Sequence, residues 1–433
     1  MQHSVQMAVT LLYALCFVVS IAVTIRAPRY AVALLVALAP FALYLDIGET
    51  TLTLSKVALV GTLSGLLWRG ISWPIFRSTP FLRLLAAAAI LLLTTALSID
   101  HARYIEPAVR ETLKACEYLL LFVVVYAAYR LDPDPASLRI AIPATVLVVT
   151  VLALFQEWHG APSRLPIDGH TLPRIAGPLE GPNQLAGYLG IAVPLLAALA
   201  MQRRDRLTTI ALAAASAALV LTFSRAGILA TIVAVAIVFA AAPRREFKTA
   251  LAAFVIGLGA GFAVVGGWGI AIHSPAVFWL WAREAANPGG VGTRSQLWHA
   301  AIGLWRSHPV FGIGAGNFEL EIGSIGLPLI RTHANSLYLQ NMAEQGIFGI
   351  AATIFLVWQS IATFVPLRRA SPFIVGALAA SVGLALHQAV DLLVFFPKVG
   401  GWWWIVMAVG AAEVAALHQV RARNSTQLDE VPR

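Results

Sequence analysis

The chain has 433 residues, of which 59% are hydrophobic and 12% are charged. Soluble globular proteins carry about 25% charged residues, so this composition excludes a soluble enzyme, a disordered chain and a fibrous repeat and indicates an integral membrane protein. The net charge of +9 is expected to mark cytoplasmic loops, which collect lysine and arginine. It does not indicate nucleic-acid binding, because no basic run stands on a soluble domain.

Apolar segments follow one another along most of the chain, and each is predicted to form a helix because an unpaired backbone is too costly in lipid. About 20 apolar residues suffice to cross the bilayer core. Thirteen candidate segments cover residues 5–25, 29–46, 51–68, 80–98, 112–130, 137–157, 183–201, 206–223, 225–242, 248–272, 345–366, 371–395 and 400–418. Only residues 26–28 separate the first two segments, so one of these two is a candidate for a re-entrant or interfacial helix.

Basic residues concentrate in every second loop, which places those loops in the cytoplasm and the others outside. Four parts are predicted: helices 1–10 in residues 1–272, a large periplasmic loop in 273–344, C-terminal helices in 345–420 and a cytoplasmic tail in 421–433. A loop of about 70 residues is too long for a passive connection. We expect it to cap an outer site, with an amphipathic helix at its centre over residues 293–307.

Two arginines on the outer side are candidates for an anion site. Arg225 lies between two apolar segments that are joined by almost no loop. A charge at this depth needs an anionic partner, or its side chain must extend to the interface between membrane and water. Arg294 opens the amphipathic helix of the large loop and either faces water or binds a ligand. Arg174 precedes a turn that enters a helix near Asn183, and a capping role is the simpler interpretation of Asn183.

A dense polar patch surrounds His333 where the large loop returns to the membrane, with Asn335 and Tyr338 close by in sequence. Its ordinary pKa near 6.5 makes a histidine suitable as a general base. His387 and Asp391 lie four residues apart in a predicted helix, a spacing that lets them pair on one face.

Several further patterns lead to structural interpretations. No outer loop carries closely spaced carboxylates suited to a divalent metal ion. Gly257 and Gly261 predict close helix packing, whereas the glycines at 312, 314 and 316 lack the strand–helix setting of a dinucleotide site. Lys398 and the tryptophans at 402–404 are interpreted as an interface anchor.

Four blocks of the sequence together resemble the bacterial O-antigen ligase and polymerase superfamily, over about residues 140–400. These blocks are RIAGPLEGPN (174–183), TFSRAG (222–227), RSQLWHAAIGLWRSHPVFGIGAGN (294–317) and HANSLYLQNMAEQGIFG (333–349). The resemblance implies about 12 spans with both ends in the cytoplasm and a long periplasmic loop. It also implies the membrane-embedded C-type glycosyltransferase fold. We therefore prefer 12 spans to 13.

The resemblance implies a metal-independent, inverting glycosyltransferase that needs no cofactor. Its donor is a glycan on undecaprenyl diphosphate, its acceptor is a sugar of the lipid A core, and it works among membrane lipids at the periplasmic face of a Gram-negative inner membrane. The essential arginines of the family match Arg225 and Arg294, as ligands of the diphosphate, and its histidine matches His333, as the general base. The lesser candidates for substrate binding are Arg174, Asn335, Tyr338 and Asp391.

Three alternatives stay open at this stage. An O-antigen polymerase would use a second carrier-linked glycan as the acceptor, and a protein O-oligosaccharyltransferase would use a serine or threonine hydroxyl. The short tail after the last span favours the ligase over the protein transferase. A transporter or flippase could also use His387 and Asp391, but we would expect broken helices at mid-membrane and repeated halves.

Overall fold

Helices form most of the protein. The computed structural model describes residues 2–41, 44–47, 50–167, 170–203, 205–241, 246–271, 294–327 and 331–429. Its α-helices are α1 (Gln2–Arg26), α2 (Pro28–Leu38), α3 (Leu54–Arg69), α4 (Thr79–Leu97), α5 (Ile105–Leu131), α6 (Pro135–His159), α7 (Pro182–Gln202), α8 (Arg206–Leu221), α9 (Arg225–Ala241), α10 (Phe247–Ala271), α11 (Arg294–Ser307), α12 (Phe318–Glu321), α13 (Leu337–Phe364), α14 (Pro372–His387) and α15 (Pro397–Asp429). Two antiparallel hairpins pair β1 (Tyr44–Ile47) with β2 (Thr50–Thr53) and β3 (Ser163–Ile167) with β4 (His170–Arg174).

The helices match a polytopic membrane protein. Within the described residues, eight helices are long and apolar enough to cross a membrane: α1, α4, α5, α6, α7, α10, α13 and α15. Four shorter apolar helices accompany them, namely α2, α8, α9 and α14. Large side chains such as Leu11, Leu15 and Ile256 are exposed on the outside of the bundle, as expected for surfaces that face lipid.

The second predicted segment is wrong as a full span. We predicted an apolar helix over residues 29–46, but α2 ends at Leu38 and the chain then forms the β1–β2 hairpin. Pro40 follows two residues later, and a proline cannot continue a helix because it lacks the amide hydrogen and its ring collides with the preceding turn.

The centre of the bundle is formed by α7 and α15, whose apolar stretches are almost entirely buried by other helices. The tryptophans at 402–404 belong to this core, so their interpretation as an interface anchor is wrong. Lys398 is also buried, and its ammonium group binds the Pro178 carbonyl at 2.6 Å and the Glu180 carboxylate at 2.8 Å. These contacts join the start of α15 to the turn that precedes α7.

The predicted packing role of Gly257 and Gly261 is confirmed. A Cβ atom at Gly257 would collide with the Ala213 carbonyl, and one at Gly261 would crowd the Ala217 carbonyl. Both carbonyls belong to α8, so the absent side chains let α8 and α10 approach closely.

The glycine-rich segment after α11 docks into a break in α13. Gly346 has φ 66° and ψ −156°, which interrupts the helical backbone. The freed backbone groups find new partners: Ile313 N–H donates to the Ala343 carbonyl at 3.0 Å, and Ile347 N–H donates to the Pro309 carbonyl at 3.0 Å. Glycine at 312 permits this close approach, because a Cβ atom there would collide with the backbone of Glu344.

We expect Gly346→Ala to destabilise the protein, because alanine disfavours this backbone conformation at a cost of about 1–3 kcal/mol. Its Cβ would also collide with the Val310 carbonyl. Thermal unfolding in detergent should show a lower Tm. Gly259→Ala is the control, since nothing lies within 4 Å of a Cβ at that helical position. Equal Tm values for the two variants would contradict the docking described above.

Candidate functional site

Arg174 ties together two of the sequence blocks, where α7 begins and α8 ends. Its Nε donates to the Thr222 carbonyl at 2.9 Å, and its Nη2 donates to Asn183 Oδ1 at 3.0 Å. The turn that follows Arg174 is held by Gln156, whose Oε1 accepts from Ala176 N–H at 3.0 Å and from Gly177 N–H at 2.9 Å. Arg174 is therefore fixed by hydrogen bonds and does not extend freely into solvent.

Asn183 has a different role from the predicted one. The N-cap of α7 is Gly181, and Asn183 lies within the first turn of the helix. Its side chain accepts from Arg174 and helps to lower the pKa of the Asp391 carboxylate. Asn183 thus serves as an acceptor for Arg174 and does not cap the helix, which corrects the capping interpretation.

Arg225 follows a tight turn between α8 and α9. Phe223 has φ 55°, and the Ser224 hydroxyl accepts from Gly227 N–H at 3.3 Å. The absence of a side chain at Gly227 leaves room for the His387 ring, which a Cβ atom would approach at 3.0 Å. The TFSRAG block therefore makes a compact helix entry that presents Arg225 beside the Arg174 network.

Arg294 begins α11, which confirms the predicted amphipathic helix within one residue of its bounds. Residues 272–293, which precede it, lie outside the described part of the chain. Burial lowers the pKa of Arg174, the Asp391 carboxylate opposes this, and the guanidinium groups of Arg294 and Arg225 lower it further. The three arginines are thus close enough for their charges to act on one another.

Asp391 is buried at the centre of this arrangement. The predicted helix over 371–395 ends at His387, so Asp391 lies in the following loop and does not share a helical face with it. The two still approach, at 3.9 Å from His387 Nε2 to Asp391 Oδ2. Burial raises the pKa of Asp391, whereas the Leu392 N–H, Arg294, Asn183 and Arg174 lower it.

His333 lies on the other side of the loop that carries Asp391. Its ring is half-buried and packs against Phe395, with ring centroids 4.4 Å apart, and against Phe396 at 6.4 Å. Burial lowers the pKa of His333, Glu319 raises it and Lys114 lowers it. The groups that surround His333 therefore differ from those around the arginines.

Backbone hydrogen bonds join these two parts of the site. Leu337 N–H donates to the Gln388 carbonyl at 3.0 Å and to the Asp391 carbonyl at 3.1 Å. The start of α13, four residues after His333, is thereby attached to the loop that holds Asp391. One loop, residues 388–396, thus contacts the arginine cluster through Asp391 and the histidine through Phe395.

The structure shows an unusual backbone conformation at Asn335 and a hydrogen bond between helices from Tyr338. Asn335 has φ 49°, in the left-handed region that asparagine tolerates better than most residues. The Tyr338 hydroxyl donates to the Ala385 carbonyl at 2.9 Å and so links α13 to α14. Their predicted part in substrate binding stays a prediction.

The arrangement brings together guanidinium groups, which suit an anion, and an imidazole attached to the same loop, which suits proton transfer. Guanidinium groups form paired hydrogen bonds with phosphate oxygens and stay charged at all relevant pH values. A histidine whose pKa is lowered is neutral at pH 7 and can accept a proton. Among the described residues, no group of three or more His, Cys, Asp or Glu side chains is placed to hold a metal ion.

Sequence reasoning missed Lys114 and Phe395 and underestimated Asn183. A lysine inside the apolar stretch of α5 was a detectable signal, because a charge in a membrane helix needs a partner. Phe395 gave no signal, since one phenylalanine in an apolar segment resembles any other.

The O-antigen ligase family model matches residues 209–354 of this chain. No curated protein matches the chain. The matched region contains Arg225, Arg294 and His333, whereas Arg174 and Asp391 lie outside it. This match confirms the resemblance drawn from the sequence blocks.

We expect Asn183→Ala to lower the free energy of unfolding by about 1–3 kcal/mol, because the part-buried guanidinium group of Arg174 loses a hydrogen-bond acceptor. Thermal unfolding in detergent measures the effect. Gln419→Ala is the matched control: Gln419 also accepts from an arginine, Arg130, at 2.7 Å, but in an exposed pair. Its loss should cost less than about 0.5 kcal/mol, and an equal cost for both variants would contradict a stabilising role of the Arg174–Asn183 contact.

Proposed function

We propose that this membrane protein, whose residues 209–354 match the O-antigen ligase family model, is an O-antigen ligase. It transfers a glycan from undecaprenyl diphosphate to a sugar hydroxyl of the lipid A core, at the periplasmic face of the inner membrane. The observation that supports the proposal is the cluster of Arg174 at the end of β4 with Arg225 and Arg294 at the starts of α9 and α11, linked through one loop to His333.

The arginine cluster suits the diphosphate of the donor. A lipid-linked diphosphate lies at the membrane interface, and Arg225 stands at the first residue of the apolar helix α9. Arg225 and Arg294 would bind the phosphate oxygens and stabilise the negative charge that grows on the diphosphate as it leaves. Arg174 is tied to the Thr222 carbonyl and to Asn183, so its main effect is to hold the turn before Arg225.

His333 suits the role of general base. The acceptor hydroxyl oxygen attacks the anomeric carbon and forms the new glycosidic bond. The bond from that carbon to the diphosphate oxygen breaks and its electron pair leaves with the diphosphate, while the hydroxyl proton passes to His333. Direct displacement inverts the anomeric centre. The guanidinium groups supply the positive charge that a divalent ion supplies in other transferases.

We expect Arg225→Ala and Arg294→Ala each to reduce transfer roughly 10²–10³-fold, since each removes a charge that stabilises the leaving group. His333→Ala should reduce transfer by about 10²–10⁴-fold. The assay is transfer from carrier-linked glycan to core lipid by protein in proteoliposomes. Arg164→Ala is the control, because Arg164 is an exposed residue on the hairpin that carries Arg174.

Near-normal transfer by the His333→Ala variant would overturn the base role. Transfer only to a second carrier-linked glycan would identify a polymerase, and transfer only to a protein hydroxyl would identify a protein oligosaccharyltransferase.

The pH profile of the wild-type enzyme gives a further prediction. A general base works only when neutral, so kcat/KM falls as the pH falls through the pKa of His333. Burial and Lys114 lower that pKa from its ordinary value of 6.5, against the opposing effect of Glu319. The acidic limb of the kcat/KM profile should therefore lie below pH 6.5, and an acidic limb above that pH would contradict this environment for the base.

A further inference from the structure

An ammonium group from α5 supports the phenylalanine on which the His333 ring rests. Lys114 Nζ donates to the Phe395 carbonyl at 3.1 Å and lies 3.5 Å from the centroid of the Phe395 ring. We propose that Lys114 is a positioning residue that orients His333 through Phe395. This inference rests on the function proposed above, in which His333 is the base.

Lys114 is held tightly enough to act in this way. Its side chain is 16% exposed, and its ammonium group forms an ion pair with Glu111 at 2.7 Å, one helical turn earlier. A lysine in an apolar helix is costly unless its charge is neutralised, and Glu111 supplies the opposite charge. The remaining donors of the ammonium group are then directed at Phe395.

The contact with Phe395 fixes both its backbone and its ring. Tyr118, one turn further along α5, donates from its hydroxyl to the Val394 carbonyl at 2.8 Å, so α5 holds two successive carbonyls of the loop. Only Lys114 of these two also lies over the ring of Phe395, where a cation is attracted to the aromatic face. Loss of Tyr118 would release only the Val394 carbonyl. Loss of Lys114 would release both the carbonyl and the ring of Phe395.

The position of the Phe395 ring matters because it is the surface on which His333 packs. The two rings are tilted by 54° with their centroids 4.4 Å apart, and Phe396 closes a second side of the imidazole. A small error in the placement of a catalytic group can cost about 10²-fold in rate. A rotated Phe395 would misplace the base without disturbing the arginine cluster.

Lys114 also acts on His333 by its charge. The charged groups around the imidazole are Lys114 on α5, which lowers its pKa, and Glu319 on α12, which raises it. Glu111 lies next to Lys114 and partly offsets its charge. Removal of Lys114 would leave two carboxylates near His333, so its pKa should rise.

The test compares Lys114→Met, which keeps the apolar stem, with Lys56→Met. Lys56 is the matched control, because it also pairs with a glutamate of α5, Glu117, at 3.2 Å. We expect Lys114→Met to lower kcat at least about 10-fold with the donor KM unchanged, and to move the acidic limb of kcat/KM to higher pH. Lys56→Met should change neither, and Lys114→Arg should restore most of the activity.

Three results would overturn the proposal. The first is a wild-type kcat and acidic limb in Lys114→Met. The second is an equal loss in Lys56→Met, which would indicate a general effect on the helix bundle. The third is a further loss when Lys114→Met is added to His333→Ala, because Lys114 would then act elsewhere.

A second variant covers the case in which Lys114→Met does not fold. Phe395→Leu keeps the ion pair of Lys114 with Glu111 but removes the ring, and it should show the same loss of kcat with the donor KM unchanged. Normal kcat in that variant would also overturn the proposal. If the wild-type protein itself transfers no glycan, the proposed function fails, and this outcome is distinct from the failure of the positioning role.

Discussion

The hydrogen bonds of Arg174 are the interaction on which the candidate site depends. Its guanidinium group, at the end of β4, donates to Asn183 Oδ1 in the first turn of α7 and to the Thr222 carbonyl before α9. A charged group with few water contacts is costly unless it is given partners. These acceptors and the charge of the Asp391 carboxylate meet this cost, and the bond to Thr222 also fixes the turn that precedes Arg225.

The outer segments are attached to the bundle through interruptions of its helices. The break at Gly346 exposes backbone groups of α13, and the segment after α11 supplies their partners. Likewise, α14 ends at His387, and the carbonyls of Gln388 and Asp391 in the following loop accept from Leu337 N–H at the start of α13. Irregular backbone is stable at membrane depth only where other parts of the protein satisfy it, so these contacts determine where Arg294 and His333 lie.

The site consists of two electrostatic environments that share one loop. On one side Asp391 offsets part of the positive charge of three arginines. Three guanidinium groups against one carboxylate leave a net positive charge, which suits a bound anion. On the other side burial lowers the pKa of His333, while Glu319 and Lys114 act on it in opposite directions. Because residues 388–396 contact both groups of side chains, one short segment links the arginine cluster to His333.

The sequence by itself determined the class of protein and the approximate bounds of most helices, and it predicted Arg225, Arg294 and His333 as site residues. The class follows from composition, because surfaces that face lipid must be apolar. The candidate site residues follow from the rarity of charged residues next to apolar segments. The family match then confirmed the resemblance over residues 209–354. Only the tertiary structure decided that Asn183 accepts from Arg174, that Asp391 lies outside the predicted helix, that the tryptophans at 402–404 are buried and that Lys114 contacts Phe395. Hydropathy is the same for a side chain that faces lipid and one that faces another helix, so these contacts between distant segments leave no local pattern.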